Sequence, residues 1–479
     1  MRTRRLSLVA VPSALAAGVE RLRADLAVPR SFPPEVIEAA RSVAASGPAR
    51  DAGRRDRTGL EFVTIDPPES MDLDQAMCLE RRGNGYRVWY AIADVAAWVG
   101  AGGPVDREAH RRGQTFYAPD ATATLHPPVL SESAASLLAD GHDRPALVWR
   151  MDLDSSGEVV AAAIERGSIR NRAKISYEQV QRDLDAGTAR ESLVLLREVG
   201  RLREQVEADR GGISLNLPDQ EVRVEGDTWV SQFRRPRPVE GWNAQISLMT
   251  GMAAARLMLD GDVGILRTLP PARQVERDHL RHVARSLRIS WSDSVSYPEF
   301  VRSLDPQVPE HLAMLTACTM LFRGAGYTVI GADTEPSAVQ HAALAADYAH
   351  ATAPLRRLVD RYVGEVCVRL CAGAEIPSWV LDALPGLPGE MAESDQRAHR
   401  FERGIVGLVE ALELSGHVGE TFDGVIVEVD DRGRRGRVTL SKPAIEGPIT
   451  GHDLPLGEDV VVRLARCDLT TGAIAFEQD

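Results

Sequence analysis

The sequence predicts an α+β protein whose 479 residues fall into three regions of different pattern. Residues 1–57 carry mostly helical signals, residues 58–414 mix buried strands with long helices, and residues 415–479 alternate like the strands of a small barrel. A chain of this length is too long for one hydrophobic core, so we expect two or three domains.

The N-terminal region is predicted to be a small helical unit. Pro33 and Pro34 precede an apolar pattern, and proline is favoured in the first turn of a helix. The region ends in Arg50–Arg57, a polar, arginine-rich stretch that we interpret as a linker.

The central region begins with two predicted strands. Phe62–Ile65 is a run of aromatic and β-branched residues, which is typical of a short buried strand, and Tyr86–Val95 alternates in the manner of a second strand. Asn243–Leu259 predicts a long helix whose small residues would allow close packing against a neighbour.

The C-terminal region predicts a compact β-barrel. Strand-like alternation covers Thr421–Val429, Gly436–Leu440, Val460–Ala465 and Ile474–Glu477, with glycine-containing turns between these segments.

Composition narrows the class of protein. A hydrophobic content of 44% and a charged content of 26% are ordinary for a globular protein, and the net charge of −13 argues against a nonspecific coat on nucleic acid. No apolar run is long enough to span a membrane, so we expect no membrane partner. We also expect a monomer, and the scattered cysteines favour the reducing cytoplasm. The odd number of scattered cysteines predicts no disulfide framework. Of the 56 basic residues, only Lys174 and Lys442 are lysine.

The candidate site is a cluster of acids that directly follows the first predicted strand. Asp66 stands at the end of that strand, and Asp72 and Asp74 follow two residues apart. If this segment is extended, both later carboxylates point to the same side. Carboxylates a few Å apart raise each other's pKa or recruit a cation, and hard oxygen ligands favour Mg²⁺, with Mn²⁺ as a possible substitute.

The acidic cluster alone leaves a solvated turn as the alternative to a metal site. An EF-hand is excluded, because Met77 stands where that loop requires glycine and Gly83 where it requires a bidentate glutamate.

The pattern T-I-D-x₅-D-x-D-x-A resembles the signature of the ribonuclease II / ribonuclease R (RNB-domain) family of 3′→5′ exoribonucleases. The family signature has four aspartates. Three of them fall on Asp66, Asp72 and Asp74, and the fourth falls on Gln75, a neutral amide. The resemblance implies that these four residues are the metal ligands and that Asp74 is catalytic.

A second block, YAHATAPLRRLVDR at Tyr348–Arg361, resembles the family form Y-x-H-x-T-S-P-I-R-R-Y-x-D. The resemblance makes Arg356 a catalytic and RNA-binding residue that holds a phosphate. From the residues themselves, we expect Pro354 in a first helical turn, with Arg356 projecting from a helix N-terminus whose unpaired N–H groups also suit a phosphate.

Three further residues are implied by the resemblance. Tyr117 falls on a tyrosine that contacts the 3′-terminal nucleotide, and Tyr177 falls on a position that recognises the RNA strand. Glu402 falls on a glutamate linked with ribose recognition. The C-terminal barrel resembles the S1 (OB-fold) domain of the family. Because its acids outnumber its bases and its aromatics are few, we expect it to bind RNA weakly or mainly to pack.

The implied activity is Mg²⁺-dependent hydrolysis of single-stranded RNA from the 3′ end, which releases 5′-nucleotides. Three alternatives stay open: an RNA-binding member that is weak or inactive in catalysis, a nuclease for short oligonucleotides or DNA, and a different metal hydrolase on the same scaffold. Gln75 favours the first of these alternatives.

Overall fold

The computed structural model describes residues 5–6, 13–118, 122–215, 217–225, 228–331, 340–440 and 442–479. Its helices are, in chain order, α1 (Ser13–Asp25), α2 (Pro34–Ser46), α3 (Pro104–Arg112), α4 (Tyr177–Asp185), α5 (Glu191–Arg210), α6 (Pro238–Asp260), α7 (Gln274–Ser286), α8 (Tyr297–Arg302), α9 (Pro309–Cys318), α10 (Leu358–Ala372), α11 (Ser378–Ala383) and α12 (Leu387–Glu413).

Strands are found throughout the chain. They are β1 (Arg5–Leu6), β2 (Arg55–Asp56), β3 (Phe62–Ile65), β4 (Gln75–Arg82), β5 (Gly85–Ala93), β6 (Arg144–Leu153), β7 (Val159–Ile169), β8 (Asn171–Ile175), β9 (Asp219–Glu225), β10 (Thr228–Arg234), β11 (Gly264–Thr268), β12 (Gly326–Ile330), β13 (Gln340–His341), β14 (Ala346–Asp347), β15 (Thr421–Val429), β16 (Arg435–Leu440), β17 (Glu446–Thr450), β18 (Asp459–Asp468) and β19 (Ala473–Gln478).

A mixed sheet in the order β2-β7-β6-β5-β4-β3-β8 is the framework of the central region. Along β5, Val88, Tyr90 and Ile92 point into one core, while Trp89 and Ala91 point into another. Successive strand residues alternate between the two faces of a sheet, so both faces of this one are buried. Helices α5, α6 and α10 cover the first face, and α2 covers the second.

The predicted α+β class is confirmed, with one change at the start of the sheet. Phe62–Ile65 is a strand, as predicted, and all four of its residues are buried. The stretch predicted as a linker contains β2, which pairs in parallel with β7 through Arg55 and Gly167. Tertiary pairing thus makes an edge strand of a polar segment that has no strand pattern of its own.

The C-terminal strands close into a barrel in the order β15-β16-β17-β19-β18. Four of them were predicted; β17 was missed because its Gly447 and Pro448 argue against a strand. The barrel is held to the rest of the chain through Val425 and Val427, which pack into the core formed around helices α7 to α9.

Among the described residues, no helix is both long enough and apolar enough to cross a bilayer.

The packing of α5 on α6 is tight enough to test by one added methyl group. A Cβ at Gly200 would lie 2.3 Å from the Cβ of Trp242, whereas a Cβ at Gly389 in α12 would meet nothing within 4 Å. We expect Gly200→Ala to cost about 1–3 kcal/mol of unfolding free energy, because the buried indole cannot move away.

The matched control is Gly389→Ala, which should be neutral or slightly stabilising because alanine favours helix. Thermal unfolding of both variants checks the prediction. Equal melting temperatures for the two variants would contradict the close approach of α5 to α6.

Candidate functional site

Three segments that are distant in sequence meet at the end of β3. They are the aspartate loop (residues 66–74, between β3 and β4), the arginine turn (residues 352–357, before α10) and the tyrosine segment (residues 113–117, after α3). The backbone joins the last two, since Thr115 N–H donates to the Arg356 carbonyl at 3.0 Å and Leu358 N–H donates to the Gly113 carbonyl at 3.0 Å. These bonds bring the Tyr117 backbone beside Arg356.

Asp74 connects the aspartate loop to the arginine turn. Its Oδ1 accepts the N–H of Leu355 at 2.7 Å, and its Oδ2 accepts the Nε–H of Arg356 at 3.1 Å. The Asp74 side chain is 5% exposed and that of Arg356 is 43% exposed. The guanidinium is therefore held from the inside through Nε, and its outer edge faces the solvent.

The carboxylates of this site are difficult to ionise together. Burial raises the pKa of Asp74 to about 8, against the opposing effect of Arg356, and the charge of Asp72 adds to the rise. Burial also raises the pKa of Asp72, while Arg356 and Lys174 act to lower it. A cation bound between these groups would favour their charged forms.

Gln75, at the position of the fourth family aspartate, is bonded at both ends of its amide. Its Nε2 donates to the Thr352 carbonyl at 2.8 Å, and its Oε1 accepts the hydroxyl of Tyr90. Thr352 Oγ1 lies 2.7 Å from Ser247 Oγ on α6. An amide oxygen has two lone pairs, so one remains for a further partner. Metal ligation by Gln75 stays a prediction.

The donor set fits a divalent cation in chemistry, though the ligands are not preassembled. Asp66, Asp72 and Asp74 offer the carboxylate oxygens that Mg²⁺ prefers. Burial raises the pKa of Asp72 and Asp74, and a nearby cation would offset this effect on their charged forms. In the described part of the chain, no group of three or more His, Cys, Asp or Glu side chains is close enough to hold a metal ion.

The expectation of a phosphate-binding helix N-terminus at Arg356 is wrong. Helix α10 begins at Leu358, two residues later. The reason is that Arg356 N–H and Arg357 N–H both donate to the Ala353 carbonyl, while Ala353 N–H donates to Asp360 Oδ1 at 2.7 Å. These bonds close a turn before the helix starts and use the backbone N–H groups. A phosphate would therefore meet the Arg356 side chain rather than backbone donors.

A buried histidine supports the arginine turn. His126 is 2% exposed, and its ring donates a hydrogen bond to the Pro354 carbonyl. Burial lowers the pKa of His126 to about 3, so the imidazole is neutral. Arg357 supports the same turn through a two-point ion pair with Asp360, at 2.9 and 2.8 Å.

The predicted RNA-binding residues lie on elements around this centre. Tyr117 ends the tyrosine segment. Burial and the charge of Asp72 raise the pKa of its phenol, while Arg356 acts to lower it. Tyr177 begins α4, and its hydroxyl accepts a hydrogen bond from Asn243 Nδ2 at 3.0 Å. Glu402 follows Phe401 on α12, and the Phe401 ring packs edge-on against Phe116, the neighbour of Tyr117.

Comparison with known proteins identifies the scaffold. Residues 54–371 match the family model of the RNB domain, and residues 420–479 match that of the RNase II-type exonuclease C-terminal S1 domain. The chain belongs to the RNB-domain family.

Several curated relatives of this RNB-family chain are named ribonuclease R. The chain is 25% identical to that of Aquifex aeolicus over 94% of its own length and 68% of the relative. It is 24% identical to that of Escherichia coli over 89% of its own length and 57% of the relative. The chain thus spans between about half and two thirds of the length of these relatives.

Solved structures show the same fold. RNase R of Mycoplasma genitalium, in complex with ribose-methylated single-stranded RNA, matches with a TM-score of 0.85 at 19% identity, over 96% of this chain and 77% of the other. Yeast Ssd1, described as a pseudonuclease, matches with a TM-score of 0.68 at 16% identity, over 89% of this chain and 53% of the other. At these identities, the likeness shows the fold alone.

Several residues of the site were not identified from the sequence. Tyr90, His126 and Asn243 reach it through tertiary contacts, and each lies in a segment whose pattern indicates only a strand, a turn or a helix. Thr352 was seen as part of the second family block, but its bond to Gln75 was not predictable from spacing.

The neutral state of His126 predicts a pH dependence of stability. Since the pKa of this group falls from 6.5 to about 3 on folding, the unfolded chain binds more protons between those values. The contribution of His126 is fully present above pH 6.5 and is lost as the pH falls toward 3, at up to about 1.4 kcal/mol per pH unit.

His126→Gln retains a donor for Pro354 but does not titrate, so its unfolding free energy should fall less steeply below pH 6.5. The exposed His142→Gln is the control and should follow the parent. Denaturant unfolding at several pH values measures these slopes, and a His126→Gln slope equal to that of the parent would refute a buried neutral imidazole.

Proposed function

We propose that this RNB-family protein is a 3′→5′ exoribonuclease that hydrolyses single-stranded RNA to 5′-nucleotides in the presence of Mg²⁺. The observation that carries the proposal is the Asp74–Arg356 pair, a buried acid that orients a half-exposed guanidinium beside Asp72. Such a pair offers a phosphate a fixed positive edge next to an anionic pocket.

Each side chain has a distinct role in this proposal. The outer edge of the Arg356 guanidinium would hold the scissile phosphate and offset the charge that develops on it. Asp74 keeps the guanidinium in place through its bond to Arg356 Nε–H. A divalent cation held by Asp66, Asp72 and Asp74, with Gln75 as a further candidate ligand, would supply Lewis-acid stabilisation of the phosphate oxygens.

The RNA strand would pass the aromatic and acidic groups around the arginine turn. Tyr117 and Tyr177 offer ring faces near Arg356 and Tyr90, and Glu402 on α12 is the candidate for contact with a ribose. The proposed setting is a monomer in the cytoplasm.

A second candidate function is RNA binding with little or no turnover. It is favoured by the bonds of Gln75, whose neutral amide replaces a charged ligand and is already engaged by Tyr90 and Thr352. Loss of one negative charge weakens the attraction for Mg²⁺, while the contacts proposed for RNA stay in place.

The first test is degradation of a 5′-labelled poly(A) oligonucleotide with Mg²⁺. We expect products that shorten from the 3′ end, and a loss of rate of about 100-fold or more in Asp74→Asn, because the amide offers the Arg356 guanidinium no negative charge. A deoxy oligonucleotide of the same sequence tests the preference for RNA. Cleavage that persists unchanged in Asp74→Asn would refute the role of this carboxylate.

Gln75→Asp separates the two candidate functions. If the parent cleaves, the variant should need less Mg²⁺ for half-maximal rate, because a charge is restored to the ligand set. A parent that binds poly(A) without cleaving it, together with a variant that cleaves, would establish the binding protein. Gln75→Glu is the control: its longer side chain restores the charge but places the carboxylate differently.

A further inference from the structure

The aspartate loop is held by a residue to which neither the resemblance nor the comparisons assign a role. Lys174 lies on β8, which pairs in parallel with β3, so that Thr64 stands beside Lys174 and Ile65 beside Ile175. The next residue, Asp66, continues this pairing, because its N–H donates to the Ile175 carbonyl at 3.1 Å. Lys174 thus stands at the point where the loop leaves the sheet.

The Lys174 ammonium binds the loop through backbone carbonyls. Its Nζ donates to the carbonyl of Pro68 at 2.6 Å and to that of Ser70 at 2.5 Å. The Ser70 N–H donates to the Pro67 carbonyl at 3.1 Å and closes a turn. The carbonyls of Pro68 and Ser70 therefore both bind Lys174 Nζ, and the loop curves around this nitrogen.

The other half of the loop is held from a different segment. Ser136 Oγ donates to the Met71 carbonyl at 2.6 Å and accepts the Leu73 N–H at 2.9 Å. Asp72 lies between Met71 and Leu73, so Ser136 holds the backbone on both sides of it. Lys174 holds the segment that leads into this part of the loop, through Pro68 and Ser70.

The identity of the residue at 174 is informative because this chain uses arginine almost everywhere. Only Lys174 and Lys442 among the 56 basic residues are lysine. An ammonium radiates three donors from one compact centre, while a guanidinium spreads its donors over a rigid planar fork. Converging carbonyls suit the ammonium, and the longer arginine fork would push the loop outward.

We propose that Lys174 is a positioning residue whose ammonium shapes residues 67–72 so that the carboxylates of Asp66 and Asp72 can reach a common divalent cation. Asp66 acts electrostatically on Tyr90, the partner of Gln75, and Asp72 interacts with Arg356, so both carboxylates lie near the centre of the site. The role in turnover rests on the exoribonuclease function proposed above, whereas the role in loop shape does not.

The experiment compares Lys174→Arg and Lys174→Met in the full chain, with Lys442→Arg as the matched control on the exposed surface of the barrel. Hydrogen exchange of the Ser70 amide reports the shape of the loop, and exchange of the Leu73 amide, held by Ser136, is the internal reference. Mn²⁺ binding is measured by calorimetry, and poly(A) cleavage gives kcat and KM.

In both Lys174 variants, the Ser70 amide should exchange about 10-fold faster or more, while the exchange rate of the Leu73 amide should not change. Both variants should also bind Mn²⁺ about 10-fold more weakly. Their kcat should fall by about 10-fold or more at saturating Mg²⁺ with KM within about 2-fold, since a misplaced carboxylate harms the reaction more than RNA binding. Lys442→Arg should match the parent in every measurement.

Lys174→Arg with parental exchange, Mn²⁺ affinity and kcat would overturn the proposal, because a compact ammonium would then not be required. An equal increase in the exchange rates of the Ser70 and Leu73 amides would also overturn it, since that result would indicate general unfolding rather than a local change in the loop. If the parent itself fails to cleave RNA, the exoribonuclease proposal falls. The exchange and Mn²⁺ results then decide the role of Lys174 by themselves.

Discussion

The carboxylate of Asp74 is the junction on which the site depends. It accepts one backbone N–H and one guanidinium N–H from residues 281 and 282 positions further along the chain. Because this side chain is buried, each oxygen needs a donor, and an unpaired buried carboxylate would be strongly destabilising. The same two bonds stabilise the fold and leave the outer edge of the Arg356 guanidinium exposed to the solvent.

The surrounding structure keeps this junction rigid. A sheet with both faces buried holds β3 and β4 at fixed spacing, so the loop between them starts and ends at defined points. On the other side, Asp360 and His126 hold the arginine turn through Ala353 and Pro354. Anchors on rigid elements are what a catalytic geometry requires, since small displacements of reacting groups cost large factors in rate.

Gln75 is a neutral residue at a position where the family signature has an aspartate, and it supports the structure through hydrogen bonds. Its amide both donates and accepts, and so it connects Thr352 of the arginine turn with Tyr90 of the sheet. A carboxylate could accept from Tyr90 but could not donate to the Thr352 carbonyl. Relative to an aspartate, Gln75 therefore lacks a negative charge but makes an additional link between the two halves of the site.

The sequence by itself determined the α+β class, the strand before Asp66, the terminal barrel and the order of the two family blocks. These features follow from local patterns: alternation, proline and glycine positions, and the spacing of carboxylates. Those two blocks resemble the family signatures and so also identified the family, which the family models confirm over residues 54–371 and 420–479.

Only the tertiary structure decided which groups meet. The start of α10 was mispredicted because the side chain of Asp360, seven residues away, accepts the Ala353 N–H and stabilises a turn, so that the helix begins only at Leu358. The bond of Tyr90 to Gln75 gave no signal in the sequence, since a strand residue carries no record of its partner in another strand or loop. Hydrogen bonds between distant segments depend on how the chain packs, and local pattern does not contain that information.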